Sequence, residues 1–138
     1  VSAELIPETV LVAGEGFGGR LDAERVAAAL ARGLLAGGRA VEQRPLPDGL
    51  PAQGFDAQML ASRAVVIAAA RLDERTLAGS LAFEIATRAR QGGVPAYAVS
   101  GHDGFSAFDA RMLDLQLVLE ARDARALAAA GRRLAGLI

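Results

Sequence analysis

The feature that most constrains this chain is an alternation. Apolar runs of strand length recur along it, separated by stretches whose apolar residues repeat at helical spacing. Thr9–Ala13, Ala40–Pro45, Ala64–Ala70, Val94–Val99 and Leu115–Leu119 read as strands. Between them, residues 23–35 carry Val26, Leu30 and Leu34 on one helical face behind Asp22, a residue type suited to an N-cap. A short helix is expected over 56–60, and a long one over 73–90 with Asp73 as its cap and Leu77, Leu81 and Ile85 on one face. A short helix falls within 105–113, and a last one within 122–138 carries Leu127, Ala130, Leu134 and Ile138. Strands separated by helices pair in parallel through right-handed crossovers. The expected fold is therefore an α/β three-layer sandwich, a mostly parallel five-stranded sheet of the Rossmann/flavodoxin-like kind, with strand order 2-1-3-4-5.

The 138 residues suffice for a single α/β domain with a true core. Composition then removes whole classes of chemistry. Without cysteine there are no disulfides, thiolate metal sites or cysteine nucleophiles. All 15 basic residues are arginine, so no mechanism can use a lysine amine. A net charge of −1 offers no field for nucleic acid or an anionic membrane. With no apolar run of spanning length and no basic, signal-like start, the expected compartment is the cytoplasm.

In open parallel sheets ligands bind beyond the carboxyl ends of the strands, near the switch in strand order. That rule selects the loops at 14–20, 70–73 and 100–104. Gly14, Gly16 and Gly19 spell G-x-G-x-x-G between a strand and a helix, the position of a dinucleotide fingerprint. Glu15 sets a negative charge in that cradle, and Glu42 lies too deep in the second strand to be the usual ribose partner. A turn that simply joins strand to helix accounts for the glycines equally well. Ser100, His102 and Asp103 crowd onto one tight turn and do not form a hydrolase triad. With one histidine and no cysteine, no metal site is expected.

Four segments carry a resemblance. Residues 14–26, GEGFGGRLDAERV, resemble the opening of the bacterial glycerate kinases, with Phe17, Gly19, Leu21, Ala23 and Val26 in register. Pro45–Gly49 is similar to that family's P-L-A-D-G segment, Ala70–Gly79 to its G-R-L-D-x-Q-T-L-x-G, and Gly93–Gly101 to its G-V-P-V-I-A-I-A-G. The resemblance implies that a second domain, present in the family, is lost here near 46–63. It also implies an impaired phosphoryl-transfer site. The family's lysine is Gly18 here, its aspartate and serine are Glu15 and Gly16, and its second lysine is Ser80. Phosphoryl transfer depends on such cations and carboxylates.

The resemblance thus leads one to expect a catalytically inactive glycerate-kinase-like protein, a small-anion or nucleotide-binding or protein-interaction module. The alternative is residual or altered phosphotransferase activity completed by a partner subunit. The expected ligand contacts are Gly16, Gly18, Gly19, Arg20, Asp48, Arg71, Ser100 and His102, with no catalytic or metal-binding residue. ATP with Mg²⁺ is the cofactor only if the family's binding persists. A homodimer or protein partner on the uncovered surface is also expected, with Phe83 and Ala86 as a second contact face on the long helix.

Overall fold

The computed structural model describes residues 7–75 and 78–138. Its elements alternate as the apolar runs require: β1 (Thr9–Gly14), α1 (Ala23–Ala36), β2 (Ala40–Pro45), α2 (Phe55–Leu60), β3 (Ala64–Ala69), α3 (Leu81–Gly92), β4 (Ala96–Ser100), α4 (Ala107–Met112), β5 (Leu115–Glu120) and α5 (Ala124–Ala135). All strand pairs are parallel, and the sheet order is β2-β1-β3-β4-β5. β3 is buried at every residue, which explains its unbroken apolar sequence. β2 and β5 are the edges and keep polar side chains. The register between β4 and β5 is irregular between Ala96 and Ala98.

Two cores follow from the alternation of side chains across the sheet. On one face Val10, Val12, Val66 and Val99 pack against Val26, Leu30 and Leu34 of α1 and Leu127 and Leu134 of α5. On the other, Leu11, Val65 and Ile67 meet Phe55 and Met59 of α2 and Ile85 and Ala89 of α3. Ala86 belongs to this second core, and Phe83 packs against it half-buried.

One helix start differs from expectation. Asp73 does not cap the long helix. Its carboxylate accepts from the Arg75 amide at 2.9 Å and pairs with Arg71 at 2.8 Å, which closes a turn. Gly79, at φ 76°, sits in the left-handed region that ends a turn and does not continue a helix. The helix begins only after Ser80, whose hydroxyl accepts from the Phe83 amide at 3.0 Å. Apolar periodicity through Leu81 and Ile85 is real but extends upstream of the helix. Leu77 lies outside the described residues. Ser80→Ala should therefore cost about 1 kcal/mol in urea unfolding, and Ser80→Asp should retain the stability. Among the described residues no helix is long and apolar enough to cross a membrane.

Candidate functional site

The site is built by the way the chain leaves β1. Gly14 passes so close to β3 that a Cβ there would lie inside the Ala68 carbonyl oxygen and 2.7 Å from the Ala68 nitrogen. Only glycine permits that approach. The Glu15 amide then donates to the Ala68 carbonyl at 3.1 Å, the last main-chain rung between β1 and β3. A continued parallel ladder would next offer a β1 carbonyl to the Ala70 amide. Here the half-buried Glu15 side chain takes that place, and Oε2 accepts from the Ala70 amide at 3.0 Å. Phe17 lies beside Gly101 at the end of β4, where an added Cβ would come 3.3 Å from the ring. The Phe17 amide donates to the Leu21 carbonyl at 2.7 Å and the Leu21 amide to the Gly18 carbonyl at 3.0 Å, closing the turn.

The neighbouring loops are stitched together. The Leu72 amide donates to the His102 carbonyl at 2.9 Å, and the Gly104 amide to the Leu72 carbonyl at 2.6 Å. The Asp103 amide donates to the Glu120 carboxylate at 2.9 Å, and Arg122 pairs with the same carboxylate at 3.1 Å. That backbone hydrogen bond, helped by the charges of Arg122 and His102, holds the Glu120 carboxyl below the usual glutamate range. The β1–β3 strand ends are thus occupied by the chain's own Glu15 carboxylate, with the Phe17 ring alongside at Gly101.

Open space lies beside it, on the flank where α1 and α5 meet. A groove of about 620 Å³ is lined by Phe17, Gly18, Arg20, Leu21, Arg25, Ala28, Arg32, Arg122, Asp123 and Ala124. Four arginines face one acid, and the Asp123 carboxylate is engaged as the N-cap of α5, accepting from the Ala126 amide at 2.7 Å. Arg25 also donates to the Arg20 carbonyl at 2.9 Å, which fixes its guanidinium against the turn. Among the described residues Arg20 and Arg32 have no acid partner. The groove therefore joins positive charge to the apolar surface of Phe17, Leu21 and Ala28.

The expected contact residues separate. Gly18 and Arg20 line the groove, and Gly19 stands in the same turn at φ 57°. Gly16 instead packs on the first turn of α1, with an added Cβ only 2.8 Å from the Ala23 nitrogen. Asp48 is exposed on the β2–α2 loop, away from the groove. Arg71 lines a separate polar hollow with Asp73, Glu74, Arg75 and Gly104, and is paired there with Asp73. His102 is exposed and takes part in the loop stitching through its carbonyl. Ser100 is fully buried at the end of β4, and its hydroxyl has no hydrogen-bond partner. The structure thus brings Gly18, Gly19 and Arg20 together and leaves the other five outside the groove. No group of three or more metal-ligating side chains occurs among the described residues.

Sequence reading did not single out as site residues Phe17, Arg25, Arg32 and Arg122, which line the groove. A signal existed for two of them. Arg25, Ala28 and Arg32 fall at i, i+3 and i+7, one face of α1 directly after the glycine turn. Arg122 becomes visible only once the strand order sets α5 beside α1.

No protein-family model matches the chain, and no curated protein is similar to it in sequence. The fold does have counterparts among solved structures. A diflavin flavoprotein A3 from Nostoc sp. superposes with a TM-score of 0.58 at 16% identity, over 95% of this chain and 93% of that one. An oxidoreductase from Corynebacterium diphtheriae gives 0.55 at 13% identity, over 97% and 98%. A flavone reductase gives 0.53 at 17% identity, over 93% of this chain and 62% of that one.

The chain has the α/β flavodoxin-like fold. The resemblance to glycerate kinases is corrected by these findings. The short motif matches carry no family-level similarity, and structures alike in fold include a diflavin flavoprotein, an oxidoreductase and a flavone reductase. The physical reason is that the matching segments are strand, turn and cap sequences that any such sheet needs. The reading as an inactive glycerate-kinase-like anion, nucleotide or interaction module falls with the resemblance. So does ATP with Mg²⁺ as its cofactor.

Proposed function

We propose that this domain binds flavin mononucleotide and serves as a flavin-carrying redox domain. The flavin is seated in the arginine groove beside the glycine turn. The single observation that carries the reading is the meeting of Arg20, Arg25, Arg32 and Arg122 with Phe17 and Leu21 in one groove. Its volume of about 620 Å³ lies within the roughly 300–1,000 Å³ usual for small-molecule and cofactor sites. The names of structures alike in fold, a diflavin flavoprotein among them, direct the choice of ligand.

The residues fit the two ends of the molecule in different ways. Guanidinium groups pair planar forks with phosphate oxygens, so Arg20, Arg25 and Arg122 would hold the phosphate. Phe17, Leu21 and Ala28 would cover part of the ring, and arginine can also stack on an aromatic face. The crevice over β1 and β3 does not fit, because the Glu15 carboxylate already occupies the Ala70 amide. When bound, the flavin supplies one- and two-electron transfer, chemistry that no side chain of this chain provides.

A flavin fluorescence titration tests the proposal. Quenching that saturates with FMN, is much weaker with riboflavin and declines as salt rises is expected for a charge-held phosphate. Equal affinity for FMN and riboflavin, or no binding of either, would refute it.

A further inference from the structure

We infer that Glu15 determines where an anion can bind on this domain, by acting as the chain's own anion at the strand-end crevice. The observation is independent of the flavin reading. The Ala70 amide, just past the end of β3, is presented where β1 has already turned away, and a carboxylate oxygen sits on it at 3.0 Å. Glu15 is aimed there by two fixed points. Gly14 presses the chain onto Ala68, and the Glu15 amide is tied to the Ala68 carbonyl at 3.1 Å. Phe17 then covers the adjoining Gly101. A charged oxygen and a ring side by side occupy the place at which sheets of this order bind their ligands.

Two effects follow. A second anion meets the like charge of Glu15 in a half-buried setting, where screening by water is reduced. It also finds the Ala70 amide already satisfied. Anions are therefore directed away from the strand ends and toward the arginines on the α1–α5 flank.

The test uses inorganic phosphate and the amide NMR spectrum of the whole chain. In the wild type, phosphate should leave the Ala70 amide unmoved. Glu15→Ala frees that amide and removes the charge, so phosphate should move the Ala70 resonance and bind there about tenfold more tightly or better. Glu15→Gln keeps an acceptor for the Ala70 amide and removes only the charge, so its gain should be smaller than that of alanine. Should Glu15→Ala not fold, the glutamine variant decides alone. A glutamine variant with no gain at Ala70 overturns the inference, as does a folded alanine variant with none. A wild-type Ala70 amide that already responds to phosphate overturns it too. A wild type that binds no FMN while Glu15→Ala gains phosphate at Ala70 would support this inference and refute the flavin reading.

Discussion

Gly33→Ala should destabilise the domain by about 2 kcal/mol, although glycine-to-alanine inside a helix ordinarily stabilises by roughly 0.5–1 kcal/mol. The sign is reversed by the crossing of α1 and α5. An added Cβ at Gly33 would enter the Ala128 carbonyl, with the Ala128 carbon 2.8 Å away. Gly131 faces the other way in the same contact, where a Cβ would enter the Leu30 carbonyl oxygen and lie 3.1 Å from the Leu34 nitrogen. Both obstacles are main chain, so neither can rotate aside. The helices must separate, and Leu30, Leu34, Leu127 and Leu134 lose packing together. At roughly 4 °C per kcal/mol for a domain of this size, Tm should fall by about 8 °C. Gly131→Val should cost more. A Tm that is unchanged or raised in Gly33→Ala would mean that the two helices do not cross this closely.

The second large effect concerns the groove. Removing both Arg25 and Arg122, as Arg25→Ala with Arg122→Ala, should weaken FMN binding about 10²-fold. The estimate takes about 1–2 kcal/mol for each exposed charge-assisted contact, the lower part of the range for charged hydrogen bonds. Arg25→Lys should recover part of the loss, since a lysine keeps the charge and loses the planar fork. Both arginines are exposed, so folding stability should change by less than about 0.5 kcal/mol. Isothermal titration of the wild type and the variants reads these differences. Unaltered FMN affinity in the double variant would remove the arginine groove as the seat of the phosphate.

The fold was legible because its determinants are local. Apolar runs such as Ala64–Ala69 mark a strand buried on both faces, and Asp22 marks a helix start, accepting an amide hydrogen bond as an N-cap. The strand order 2-1-3-4-5 is one of several that the crossover rule permits, and it is the order the sheet has. The start of α3 was not legible, because Asp73 suits a helix cap and a tight turn equally well. The difference rests on Gly79 and Ser80.

The site was legible only where it is local. The glycine turn drew attention to Gly18, Gly19 and Arg20. The groove itself needs Arg122, which is far from Arg25 in sequence and reaches it only through the packing of α5 on α1. The role of Glu15 was equally hidden. In sequence it is an unwelcome charge in a phosphate cradle, and in three dimensions it completes the end of the β1–β3 ladder.

The proposed seat of the flavin is the α1–α5 flank, outside the strand-end crevice. Amide NMR during a titration with FMN tests it most directly. Shifts gathered at Phe17–Arg25 and Arg122–Ala124, with the Ala70 and Gly101 amides unmoved, are the predicted result. Shifts gathered at Ala70–Asp73 and Gly101–Gly104, with the arginine flank silent, would contradict the account.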